Sequence, residues 1–270
     1  MRTVLTTGAN SGIGLATVLE LAYQGFRSVG SVRSAAKAEV VHAAAAEAGV
    51  EVQTVILDVA DAGSCERALD GMRLFGLVNN AGYTNTGAVE DVGDDEARDQ
   101  LETMVIAPMR LARLALPAMR EAGEGRIINV SSIYGRTSTP LSGWYQASKH
   151  ALEAVSDALR IEVAAAGVQV VLVEPGGFRT GIWDDMARSL DAHVGSPFEQ
   201  AYHRSTRLTR LVEPLMGEPK QVARVISRAL RTPLPRARYL VGYDAMALAL
   251  TDRLTPTVIK DRVMRASLGL

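Results

Sequence analysis

The chain has a single cysteine, no long apolar run and almost no excess of either charge, and each shortage closes off a class of function. One thiol, Cys65, forms no internal disulfide, so the fold must rest on its core, as suits a reducing compartment. The polar neighbours Asp61, Ser64, Glu66 and Arg67 place that cysteine at a half-exposed helix position. The histidines, His42, His150, His193 and His203, show no ligand-like pairing, and a metal-free chemistry is expected. The longest apolar stretches, residues 168–173 and 245–250, fall far short of the about 18 residues that a bilayer span needs. The opening MRTVLTTGANSGIG meets glycines too early for a secretory leader, so a soluble, cytoplasmic chain is expected. Lysines and arginines number 29 against 30 acids, which leaves no global field to recruit nucleic acid or an anionic membrane.

What is present is ample apolar material in an alternating pattern. The 270 residues, 47% of them apolar, suit one large α/β domain over residues 1–270. Short β-branched runs at residues 3–7, 27–32, 52–57, 76–79, 126–131 and 168–174 alternate with alanine-rich helical stretches. Right-handed crossovers then place helices on both faces of a parallel, doubly wound sheet. Two long helices are expected at residues 94–121 and 145–166, stopped by Gly123/Gly125 and Gly167. Around residues 178–218 the pattern loosens, and the apolar residues Ile182, Trp183, Met186, Leu190, Phe198, Tyr202, Leu208 and Leu211 suggest a substrate lid. A C-terminal extension over residues 243–270 carries Arg253, Lys260, Arg262 and Arg265 among leucines and valines, a pattern that fits subunit packing or, alternatively, a membrane surface.

Gly8-Ala9-Asn10-Ser11-Gly12-Ile13-Gly14 lies between the first strand and the first helix. Glycines there let backbone N–H groups approach a pyrophosphate at a helix N-terminus, although such clusters also build ordinary tight turns. In doubly wound sheets the adenosine ribose sits beyond the second strand, where an acid suits the 2′-hydroxyl of NAD and a base the 2′-phosphate of NADP. That strand ends Val32-Arg33-Ser34 with no acid before Glu39, so Arg33 favours NADP(H) over NAD(H). Asp58, closing the third strand, is placed either to accept from an adenine amino group or to cap the next helix. Asn79-Asn80-Ala81-Gly82 follows the fourth strand, a small and polar run suited to passing a ligand or to turning.

Tyr145 and Lys149, four apart, share one face of the second long helix, and Ser132 ends the fifth strand. A nearby positive charge favours phenolate, so Lys149, with oxidised nicotinamide, is expected to lower the pKa of Tyr145 and make it a usable acid/base, with Ser132 bonding a substrate oxygen. Trp144, Leu141, Tyr83 and the lid residues are the expected walls, for a small apolar carbonyl or alcohol substrate.

Taken in chain order, Thr7-Gly8-x-x-x-Gly12-Ile13-Gly14, Asn79-Asn80-Ala81-Gly82, Ser132, Tyr145-x-x-x-Lys149 and Pro175-Gly176 resemble the motif set of the short-chain dehydrogenase/reductase family, over about residues 2–231. The tail beginning Arg238-Tyr239-Leu240-Val241-Gly242 looks like that of the branch acting on steroid-like, retinoid-like and other apolar carbonyls. The resemblance implies a Rossmann-type, seven-stranded parallel sheet in the order 3-2-1-4-5-6-7 and a homodimer or homotetramer packed through the two long helices. It implies Ser132, Tyr145 and Lys149 as the catalytic set, with Lys149 also on the nicotinamide ribose. Gly8, Asn10, Ser11, Gly12, Ile13, Gly14, Asn80, Ala81 and Gly82 would brace the cofactor, and Thr180 and the backbone after Pro175-Gly176 would hold its amide. One departure stands out: Thr103-Met104-Val105-Ile106-Ala107 puts Met104 where the family usually has an asparagine that kinks the helix and holds a water linking the lysine to solvent. A thioether is a weak acceptor, which puts proton resupply in question and keeps a non-catalytic NADP(H)-binding sensor as the alternative.

Overall fold

A computed structural model describes residues 1–181, 183 and 195–270. Seven parallel strands, β1 (Thr3–Thr6), β2 (Arg27–Val32), β3 (Gln53–Ile56), β4 (Gly76–Asn79), β5 (Gly125–Val130), β6 (Val168–Pro175) and β7 (Arg238–Val241), lie in the order 3-2-1-4-5-6-7. Every residue of β4 and β5 is buried, as covering both faces of a parallel sheet requires. Alternation along the strands feeds two cores. Leu5, Leu77 and Ile127 join one, while their neighbours Val4, Val78 and Ile128 join the other.

Helices α1 (Gly12–Tyr23), α2 (Ala35–Glu47) and α3 (Ala62–Leu69) follow the first three strands. Ser34 caps α2 by accepting from Lys37 N–H at 3.4 Å, and Asp61 caps α3 by accepting from Gly63 N–H at 2.8 Å. Asp61 thus does the capping that the sequence left open to Asp58. Cys65 also departs from expectation, since it is fully buried. It shares the inner face of α3 with Ala68 and Leu69, while the polar residues beside it in sequence point the other way.

The single long helix expected at residues 94–121 is helical throughout, yet it is divided into α4 (Asp94–Leu101), a π turn (Glu102–Ile106) and α5 (Ala107–Ala122). Pro108 supplies the reason: it has no N–H to return to the carbonyl of Met104, so the ladder widens there. α5 ends at Gly123 with φ +65°. α6 (Gly143–Glu162) ends in a short 3-10 turn before Gly167, and the chain closes with α7 (Glu199–Val212), α8 (Pro219–Arg231), α9 (Tyr243–Leu254) and α10 (Thr257–Leu268). Among the described residues no helix is long and apolar enough to cross a membrane, and no cluster of metal-ligating side chains occurs.

Candidate active site

The strand order reverses between β1 and β4, and the crevice beyond their carboxyl ends is where such sheets bind ligands. The glycine turn after β1 is stitched to the turn after β4. Thr7 Oγ1 accepts from the N–H groups of Asn80 and Ala81 at 3.0 and 2.9 Å, and Asn80 Nδ2 donates to Thr7 O at 2.9 Å. A Cβ on Gly14 would lie 2.1 Å from Gly8 O and 2.6 Å from Asn80 Nδ2, so no side chain fits at that position. Gly8 and Gly12 take φ +67° and +51°.

This turn fits a dinucleotide. Exposed Ser11 occupies the N-cap of α1 without a capping bond, and the first helical bond runs from Leu15 N–H to Ser11 O at 3.0 Å. The N–H groups of Gly12, Ile13 and Gly14 therefore have no intrahelical partner and suit an anion, with half-buried Asn10 beside them. Thr180 leans over the turn, its Cγ2 only 3.1 Å from where a Gly12 Cβ would be. Arg33 lies exposed just past β2, and no hydrogen bond or ion pair ties it down among the described residues. Asp58, exposed at the end of β3, accepts from Ala60 N–H at 3.1 Å.

Tyr145 sits in the first turn of α6, with Lys149 one turn on. Lys149 Nζ donates to Val130 O, the last residue of β5, at 2.9 Å and lies 5.7 Å from the centre of the Tyr145 ring. Ser132, two residues past β5, has its Oγ oriented by Tyr134 N–H at 3.2 Å, and the Tyr134 ring meets the Tyr145 ring edge-on at 6.4 Å. Burial pushes the Tyr145 phenol up to about 12, with a hydrogen bond from Ser132 working against it. Burial pulls Lys149 down to about 8, while the charge of Glu153 supports the ammonium. The lowering expected from the sequence joins Lys149 with oxidised nicotinamide; in the chain by itself desolvation outweighs it. The ammonium is turned to a neutral carbonyl, and desolvation dominates the phenol.

A cavity of about 640 Å³ brings Ser132, Tyr145 and Lys149 together with Ile13, Asn80, Gly82, Pro175, Gly176 and Thr180. Gly8, Asn10, Ser11, Gly12, Gly14 and Ala81 form the turn beside it, while Arg33 and Asp58 stand outside at the ends of β2 and β3. Met104 lines the cavity too, 2% exposed, with its sulfur accepting from Gln100 Nε2 at 2.7 Å.

The walls differ from those expected. Leu141 is packed away with Ala88, Ala201 and Tyr202, and Tyr83 turns toward α4, where Gln100 Nε2 donates to its carbonyl at 2.8 Å. Trp144 also falls outside the cavity lining. Trp183 and Leu208 do line it, as the lid reading required. Phe198 and Tyr202 pack against Ala88 and Leu141 instead, and Leu211 points outward at 73% exposure. Ile182, Met186, Leu190 and His193 lie outside the described residues. The sequence reading missed Phe178, Leu248, Met264 and Leu268 as walls. The i, i+4 pair Met264 and Leu268 was the available signal, on a segment whose pattern fitted a subunit or a membrane surface.

The model of the short chain dehydrogenase family matches residues 2–191. The chain is 33% identical over 271 residues to the uncharacterized oxidoreductase YbbO of Escherichia coli K12, covering 98% of this chain and 94% of that protein. It is 32% identical over 284 residues to retinol dehydrogenase 5 of Homo sapiens, covering 97% and 87% respectively. Among solved structures it superposes on a variant of actinorhodin polyketide ketoreductase with NADPH at a TM-score of 0.79 and 27% identity, across 92% of this chain and 97% of that one.

Proposed function

The chain belongs to the short-chain dehydrogenase/reductase family, and from that premise we propose that it is an NADP(H)-dependent oxidoreductase interconverting an apolar ketone or aldehyde and its alcohol. The observation that carries the reading is the convergence of Ser132, Tyr145 and Lys149 on one cavity that also reaches the glycine turn. The cofactor supplies or accepts hydride when bound. The residues of the chain do the rest. The high pKa of Tyr145 keeps its phenol protonated at neutral pH, so it serves as proton donor to the oxygen of a carbonyl undergoing reduction. Ser132 donates a second hydrogen bond to the same oxygen, and Lys149 provides the positive charge that eases loss of the phenolic proton. Arg33 supports NADP(H), because its guanidinium, unpaired among the described residues, follows the second strand with no acid before Glu39, and a donor fork there suits a 2′-phosphate.

An apolar substrate is supported by Phe178, Trp183, Leu208, Leu248 and Leu268, which present more surface to the cavity than the hydroxyls of Ser205, Thr209 and Ser267 and the Asp244 carboxylate on the same walls. The names of the retinol dehydrogenase and polyketide ketoreductase relatives are of the same chemical kind. We read the chain as one catalytic domain with a lid around residues 178–218 and a C-terminal extension that completes the roof, working as a homodimer or homotetramer in the cytoplasm. The test is the rate of NADPH oxidation, with NADH in parallel, across a panel of apolar ketones and aldehydes, with Tyr145→Phe as control. Turnover that favours NADPH and vanishes in the variant supports the reading. A silent panel alongside normal NADPH binding would replace it with a binding-only role.

A further inference from the structure

One helical turn beyond Lys149, Glu153 is buried at 7% exposure, and against it lies Glu174 of β6 with no exposure at all. Two arginines hold these acids. Arg136, from the segment that follows Ser132, donates to both oxygens of Glu174 at 2.7 and 2.9 Å. Arg238 of β7 donates through Nε to Glu153 Oε2 at 3.0 Å, lies 3.3 Å from Glu174 Oε1, and donates through Nη2 to Asp157 at 2.6 Å. The cluster joins the Ser132 segment, the helix of Tyr145 and Lys149, the strand that runs into Pro175-Gly176, and β7.

Burying so many charges is a poor way to gain stability, since apolar residues of similar volume hold such segments as well or better. What the cluster does offer is a field. Arg136 is committed to Glu174, and Arg238 is shared among three carboxylates, one of which, Asp157, also accepts from Arg160 at 3.1 Å. The second oxygen of Glu153 has no full hydrogen bond among the described residues, the Ser131 hydroxyl beside it giving only partial support. With Glu174 and Asp157 each met by an arginine besides Arg238, Glu153 is the acid of the cluster that has only a share of one, and it lies on the helix face that carries Lys149, four residues away. Lys149, for its part, is hydrogen-bonded to the neutral carbonyl of Val130.

We propose that Glu153 is a positioning residue for the reaction: its carboxylate, anchored by Arg238, keeps Lys149 charged and in place beside Tyr145. The inference rests on the reading of Tyr145 and Lys149 as working groups. The groups facing this region are Tyr145, Glu153, Asp157 and Arg160 from α6, Tyr134 and Arg136 from the segment after β5, Glu174 from β6, Arg238 from β7 and Asp244 from the start of α9. All three arginines are paired, and burial keeps both tyrosines neutral at working pH. Burial also pushes the Glu153 carboxyl up, and Arg238 opposes that rise.

The chain has four lysines, Lys37, Lys149, Lys220 and Lys260, so full-length protein carrying a carbon-13 label at the lysine ε-carbon gives a short spectrum, in which Lys149→Gln identifies the Lys149 signal. Its NMR titration midpoint is expected near 8 in the parent. Glu153→Gln should move it down by about one pH unit, the size of effect that one nearby charge exerts. Glu153→Asp, which keeps the charge and withdraws it by one methylene, should give a smaller shift in the same direction. Asp157→Asn removes a carboxylate from Arg238 two turns away and should leave the midpoint in place. An unmoved midpoint in Glu153→Gln, or an equal shift in Asp157→Asn, overturns the proposal. If the glutamine variant does not fold, Glu153→Asp decides alone, and an unmoved midpoint there is the overturning result. In the parent and variants that turn over ketone, the alkaline limb of kcat/KM should follow the midpoint. A parent with no turnover defeats the proposed activity, while the titration still decides the role of Glu153.

Discussion

The floor and the roof of the cavity are built by different means. The floor takes its groups from strand ends and the first turns of one helix: Ser132 follows β5, Gly176 follows β6, and Tyr145 and Lys149 open α6. Hydrogen bonds to backbone fix them, as between Lys149 and Val130 or between Tyr134 N–H and Ser132. The roof takes Leu208 from α7, Leu248 from α9, and Met264 and Leu268 from α10. Those last two helices bury little of themselves, Ala245 in one and Leu268 in the other. The roof is tied at a few points, Tyr202 Oη donating to Asp91 at 2.6 Å and Lys260 Nζ to Asp252 at 2.7 Å, and is otherwise set by apolar contact, so the part that selects substrate changes by repacking more freely than the part that performs chemistry.

Substitutions on the two sides should separate cleanly. Tyr145→Phe strikes the floor, and turnover of the best ketone is expected to fall by about 1000-fold, within the range for loss of a positioned proton donor, with NADPH affinity kept. A loss below tenfold would put the donor elsewhere. Arg33→Ala touches only the cofactor end. The ratio of kcat/KM with NADPH to that with NADH should drop by about 10- to 100-fold, the worth of one hydrogen bond to a charged group, and an unchanged ratio would make Arg33 a plain surface residue. Leu268→Ala opens the roof. The KM of a large apolar ketone should rise by about 5- to 10-fold, with kcat and NADPH affinity unaltered, because the pocket loses about 1 kcal/mol of apolar contact, the low end for such a deletion. Equal damage with the smallest ketones would assign Leu268 to the fold instead.

The smallest effect tests the border between the two. Met104→Asn replaces a weakly accepting sulfur with an amide, and turnover should rise by about 2- to 3-fold if proton resupply limits the parent. Equal or lower turnover would show that the thioether costs nothing.

The same division decided what could be read from the sequence. The strand order came only with the family resemblance, whereas the floor was legible because glycines, Ser132, Tyr145 and Lys149 act through local geometry: a turn, a strand end, a helical spacing of four. The roof was not, because Met264 and Leu268 reach the cavity only through the packing of α10 on α7, a contact between residues more than fifty apart along the chain. Trp144 and Leu141 adjoin Tyr145 in sequence, yet neither lines the cavity. The π turn was hidden for a different reason. The reading weighed Met104 against an asparagine and passed over Pro108, whose missing N–H shapes that stretch. Charge pairing was also invisible, since Glu153, Glu174 and Arg238 belong to separate elements and meet only when the sheet forms.

Cys65 adds something of practical use. Its sulfur is closed in between α3 and the inner face of α5, hydrogen-bonded to Val59 O at 3.4 Å, and burial raises its pKa, so the folded molecule offers an alkylating reagent nothing to attack. Being the sole thiol in the chain, it is a built-in clock. The pace at which one equivalent of sulfur is consumed reports how often α3 lifts from its neighbour, with no engineered label.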